Sequence, residues 1–316
     1  MNKIRSFFNR NRKMIILVLG GIVFLILIIQ MLNYIAKISM ENNNNQNNNS
    51  NNNTTTEKIP NTSKITGETV NTKITKDNKN IIDMFISYCN KGDITSAYSL
   101  LTDECKNILF NTESDFKKYY YDTIFDETKT VNIQNYLNSS NKYTYEVEFY
   151  NNVLADGKIA ENRQTYTDYI TIDTNSNKLN INSFITSKEI NASKEYAGIK
   201  VTVKEQQIYK DYERYTVQVE NTTDKTILLD TRKNSSSIFV VGDNNVQYKA
   251  YANEIVSYMY KIPSKFIRDY AIKFNKNYTT NVTTNKLAFT DIVEDGDKYE
   301  ENASSVNERI RIVVSW

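Results

Sequence analysis

The feature that most constrains this chain is an uncharged run of 23 residues, Met14–Ala36, with basic residues before it and asparagines after it. A hydrocarbon core of about 30 Å is crossed by about 20 apolar residues of helix, so the run is long enough to span a bilayer. Lys3, Arg5, Arg10, Arg12 and Lys13 precede it, and only Lys37 follows closely. The positive-inside rule then predicts a cytoplasmic basic tail at 1–13, a transmembrane helix at 14–36, and everything later outside the cell membrane. A cleaved signal peptide would show an apolar core of roughly 7–15 residues and a small-x-small site. Ile35-Ala36-Lys37-Ile38-Ser39 offers no such site, and the run is longer, so it reads as an anchor.

Charge narrows the function classes. The five basic residues ahead of the run supply +5 of a net +2, leaving −3 for the remainder. A nearly neutral remainder lacks the basic footprint of a nucleic-acid binder. The chain has no histidine, which removes the commonest general base and the usual metal ligand. Two cysteines, Cys89 and Cys105, are too few for a disulfide-dense fold or a Cys-built zinc site. Heavy use of Asn, Ile, Lys and Tyr points to AT-rich codons and a low-GC bacterial genome.

Residues 37–79 carry the tract Asn42–Thr56 and then mixed Lys, Thr and Asn. Too little apolar surface is present to offset the entropy of ordering, so this segment reads as a disordered linker. Its root-mean-square span is roughly 35 Å.

A first folded unit is expected over 80–187. Ile82, Phe85 and Cys89 fall at helical spacing, Gly92 stops that helix, and Asp93 caps the next one, which carries Ala97, Leu100 and Leu101. Thr112-Glu-Ser-Asp115 has the outline of a capping box, opening a helix with Phe116, Tyr119, Tyr120 and Ile124 facing inward. The period then changes to two. Tyr143, Tyr145, Val147 and Phe149 alternate with polar residues, Thr165–Asp173 forms another strand, and the turn at 174–178 leads back through Leu179–Ile185. Helices followed by an antiparallel sheet predict an α+β unit.

The phrase Phe85-Ile-Ser-Tyr-Cys-Asn-Lys-Gly-Asp-Ile-Thr-Ser-Ala-Tyr-Ser-Leu-Leu101 resembles the opening helix pair of NTF2-like domains. That resemblance covers about a third of the chain and implies a curved sheet wrapped on helices as a cone with a cavity. Some members of the superfamily are enzymes with an Asp/His pair inside the cone; others are binding or scaffold modules. Without histidine, the catalytic pair does not carry over.

Residues 194–316 read as about eight short alternating strands, among them Ile199–Val203, Tyr215–Val219, Ile238–Val240, Leu287–Phe289 and Ile310–Val314. This rhythm predicts an all-β sandwich and resembles immunoglobulin-like domains of bacterial surface proteins. The connection at 186–193 permits either rigid packing or a hinge.

Candidate sites have bland readings beside them. Cys89 and Cys105, on helices expected to face each other, form either a bridge or a pair of buried thiols. Asp291, Glu294, Asp295, Asp297, Glu300 and Glu301 offer oxygen ligands for calcium but fit no EF-hand spacing. Tyr119, Tyr120, Tyr143, Tyr145 and Tyr166 either line a cone or simply pack. Asp83, Asp93, Asp103 and Glu104 read as helix-end or solvent-facing charges. No catalytic, cofactor-binding or metal-ligating residue is assigned.

The expectation is therefore a non-enzymatic, single-pass, extracytoplasmic binding or scaffold module of a bacterial cell envelope. Its partners would be the lipid bilayer through 14–36 and an envelope protein or a second copy, with no nucleic acid. The alternatives are a VirB8-like component of a conjugative channel and a ligand-binding or enzymatic cone.

Overall fold

The computed structural model describes residues 60–151, 165–231, 237–251, 254–255, 259–306 and 308–316. The basic tail, the apolar run at 14–36 and the asparagine tract lie outside the described residues. Within them the chain is mostly β-sheet, 46% strand against 23% helix, and no helix is long and apolar enough to cross a membrane. That corrects the fold class read from sequence, a transmembrane helix plus an α+β cone and an all-β sandwich. Strand residues outnumber helical ones about two to one among the described residues, so sheet and not helix sets the architecture.

Helix α1 (Thr72–Asn90) starts eight residues before the expected start near 80. The Asn71 side chain accepts the Lys73 N–H at 2.9 Å and caps it. Its early turns bury polar residues, Thr75 and Asn78, on the face continued by Ile82, Phe85, Ile86 and Cys89. Asn78 belongs inside because its Nδ2 donates to Tyr145 Oη at 3.0 Å. Ahead of α1, Lys64 and Ile65 donate backbone N–H groups to the carbonyls of Asn135 and Tyr136, at 3.0 and 3.2 Å.

Two caps read from sequence, Asp93 and Thr112, stand in the structure, and Thr102 adds one not read there. Asp93 caps α2 (Ile94–Ser99) and Thr102 caps α3 (Asp103–Leu109). Thr112 and Asp115 form a reciprocal capping box at α4 (Glu113–Phe116). The next residues, Lys117–Tyr121, form a π-helical turn before α5 (Asp122–Ile124). The wide turn keeps Phe116, Tyr120 and Ile124 buried and turns Tyr119 outward, 59% exposed, against the expectation that it faces in.

The first sheet is an antiparallel meander of β1 (Lys129–Ser139), β2 (Lys142–Asn151), β3 (Thr165–Asp173) and β4 (Lys178–Asn180). Its inner face supplies Tyr145, Val147, Phe149, Ile170 and Ile172 to one core with α1–α5. Phe116 stacks on Tyr120 at 5.8 Å and meets Phe110 edge-on at 5.8 Å. Burial of each such ring stabilises the fold by about 1.5–3 kcal/mol.

Strand β5 (Phe184–Tyr196) runs straight through the expected connection at 186–193. Phe184 belongs to the first core, while the ladder from Phe184↔Tyr209 to Tyr196↔Ile199 builds the second sheet with β6 (Ile199–Tyr209). Exposed polar residues such as Lys188, Glu189 and Lys194 suit an edge strand, which is why the segment looks like a loop in sequence. That sheet continues through β7 (Glu213–Asn221) to β12 (Phe266–Phe274).

A third sheet orders β10 (Gln247–Lys249), β9 (Ile238–Gly242), β13 (Thr284–Ile292) and β14 (Ile310–Ser315). A short pair joins β8 (Ile227–Leu228) to β11 (Lys261–Ile262). Val201, Val217, Ile272 and Phe274 of the second sheet share a core with Val240, Leu287, Phe289 and Val314 of the third. Helix α6 (Gly296–Glu301) lies between β13 and β14 in sequence.

Candidate functional site

The inner face of β3 carries Tyr166, Asp168 and Ile170 at alternate positions, and the middle one is fully buried. Asp168 Oδ2 accepts from Tyr120 Oη at 2.7 Å and from the Asn182 N–H at 2.9 Å. Its Oδ1 accepts the N–H groups of Tyr169 and Ser183, both at 2.7 Å. Burial pushes the Asp168 carboxyl above its ordinary range, while the hydrogen bonds from Tyr120 and the three backbone groups pull the other way.

The turn that supplies two of these donors explains the aspartate. Asn182 and Ser183 both adopt φ of 59°, and the Phe184 N–H reaches the Ile181 carbonyl at 3.3 Å. Two left-handed residues closed by that bond make a type I′ turn. Its two central N–H groups point into the core, and Asp168 satisfies both. The buried carboxylate is thus a clamp on the β4–β5 turn.

The tyrosines expected to line a cavity divide. Tyr120 and Tyr145 are buried, Tyr143 packs at the margin of the first core, Tyr166 is 36% exposed beside Phe149, and Tyr119 faces solvent. Phe85, Phe110, Phe116 and Phe149 fill the interior around them. Burial raises Tyr145 and Tyr166 to about 12.

The four helix-end carboxylates do not meet as a pair. Asp83 bridges to Lys79 at 2.6 Å. Asp93 caps α2, and its bonds to Ser96 hold it below the usual carboxylate range. Asp103 is exposed in the first turn of α3, 3.6 Å from Lys178. Glu104 accepts from the Ser187 N–H and from Thr186 Oγ1, binding α3 to β5.

Cys89 and Cys105 are both free and buried. Burial pushes the Cys89 thiol up strongly and Cys105 to about 12, which disfavours the thiolate of both.

Four of the six acidic residues near the C-terminus are engaged one at a time, and Glu294 and Glu301 are exposed. Asp291 pairs with Arg309 at 3.0 Å, Asp295 caps α6, and Asp297 and Glu300 share Lys261 at 2.8 and 2.7 Å. Among the described residues, no three His, Cys, Asp or Glu gather to hold a metal ion.

Sequence reasoning missed two features. One is a buried network: Glu213 Oε1 meets Lys276 Nζ at 2.8 Å, and Oε2 accepts from Gln206, Tyr215 and Thr284 at 2.7–3.0 Å. Burial and the Glu213 charge drive Tyr215 well above its ordinary value. Every partner is satisfied, as a buried ion pair requires.

The other is an open pocket of about 450 Å³. Val306 and Ile310 give it apolar walls, and Tyr196 stands at the end of β5. Lys225, Lys298 and Arg309 line it with Glu294, Asp295 and Glu308, so both signs of charge converge. Arg309 is fixed by Asp291, by the carbonyls of Val306 and Glu308, and by the Tyr299 ring at 5.1 Å. Such a volume suits a small ligand. Comparison with family models, curated proteins and solved structures found no match for the chain.

Proposed function

We propose that this chain is a non-enzymatic binding or scaffold module of a bacterial cell envelope, held at the membrane through residues 14–36 with the following residues outside. One observation carries the reading. The helix-and-sheet half spends its interior on aromatic packing, and its buried carboxylate, Asp168, is fully engaged by a turn and by Tyr120. Recognition is then left to the outer surface. The apolar run flanked by basic residues supports the membrane location.

Two experiments on the full chain test this. A photo-crosslinking residue at exposed Tyr196, in intact cells, is expected to capture an envelope protein or a second copy; capture of neither under several growth conditions overturns the binding role. Protease added to wall-stripped cells is expected to digest residues 60–316. Protection of that region beside degraded surface controls overturns the location.

A further inference from the structure

The pocket at the end of β5 carries charges that its own fold does not use. Arg309 is committed to Asp291 at 3.0 Å, and Lys225 lies 3.7 Å from Asp295. Among the described residues, the side chains of Lys298, Glu294 and Glu308 have no hydrogen bond or ion pair, yet all three line the same concavity. A purely anionic ligand would meet Glu294 and Glu308; a purely cationic one would meet Lys298. Only a molecule bearing both signs is matched by the residues that remain, since like charges in one site are repulsive. Tyr196, 59% exposed, adds an aromatic wall against which an ammonium or its methylene stem can lie.

We propose that this pocket binds an amino-acid-like group carrying an ammonium and a carboxylate, in a diamino acid or at the carboxyl end of a peptide. The ammonium sits between Glu294 and Glu308 beside Tyr196, and the carboxylate faces Lys298. The inference rests on the binding-module reading in one respect, that the ligand is held and not converted.

Calorimetric titration of the full chain in lipid nanodiscs tests it with four probes. L-lysine and the dipeptide Ala-Lys carry both charges; cadaverine lacks the carboxylate and glutarate lacks the ammonium. Saturable binding of L-lysine or Ala-Lys is expected, with both controls weaker by about tenfold or more. Preference for L-lysine identifies a free diamino acid, and preference for Ala-Lys identifies a peptide end. Lys298→Gln, Tyr196→Ala and the double variant Glu294→Gln/Glu308→Gln should each weaken the preferred probe about tenfold, with unchanged Tm because these side chains are exposed. No saturable binding of either charged-pair probe, equal binding of a control, or unchanged affinity in all three variants overturns the proposal. If the crosslinker at Tyr196 still captures an envelope protein in that event, the pocket inference falls and the binding role stands.

Discussion

Tyr120 Oη reaches Asp168 Oδ2 at 2.7 Å, so a residue on a π-helical turn fastens the strand that clamps the β4–β5 turn. Removing the carboxylate orphans two turn N–H groups and one phenol. Asp168→Ala is therefore expected to cost about 3 kcal/mol or more, and Tyr120→Phe about 1 kcal/mol. Urea unfolding of both variants checks this; equal midpoints for Asp168→Ala and the parent would refute the clamp.

The same carboxyl sets a pH dependence. Its folded pKa is raised, so the folded chain holds the proton more tightly than the unfolded chain. Its contribution is fully present below the unfolded value of about 4 and is lost as pH rises through the raised folded value. The stability of the parent relative to Asp168→Asn should be greatest in acid and fall as pH rises. Denaturation midpoints of both proteins across that range measure it, and a relative stability that rises with pH has the wrong sign.

The turn itself offers a stabilising change. Ser183 holds a φ of 59°, which glycine adopts without strain. Ser183→Gly leaves Asn182-Gly, a favoured type I′ pair, and should be neutral or stabilise by up to about 1 kcal/mol. Ser183→Val should destabilise instead. Thermal unfolding of the two variants decides the sign.

Lys276 and Glu213 are 3% and 1% exposed, so they form a charge pair buried in the core. Lys276→Met should cost about 3–5 kcal/mol, because Glu213 is left charged in the core. Adding Glu213→Gln should recover much of that loss. A double-mutant cycle in urea gives the coupling, and additive losses would mean that the two residues act independently.

Both thiols are buried, and Cys105 is raised to about 12. A thiol reagent should label neither in the native protein and both in denaturant. Fast labelling of the native chain would contradict the packing of Cys89 and Cys105.

Much of the architecture is legible where the pattern is clean. The alternation through Tyr143–Phe149 and the valines of β6 and β7 match strands, and Asp93 and Thr112 cap helices as side-chain oxygens do. Other elements hide because polar residues occupy apolar positions. Asn78 disguises the first half of α1, and Asn135 interrupts the inward row of β1 beside a register shift. Strand β5 looks like a loop because most of it is solvated. An α-helical period places Tyr119 inward, and the π turn breaks that period. Asp168 could have been found as the charged member of the inward row Tyr166, Asp168, Ile170 and Ile172. The pocket could not, since its residues come from four separate segments of the chain.

A 13-residue strand that enters both cores spans about 43 Å of continuous backbone. Among the described residues, bending along β5 would therefore break ladder bonds on the β6 side. A pull on the Tyr196 tip would load the β5–β6 ladder back toward Phe184.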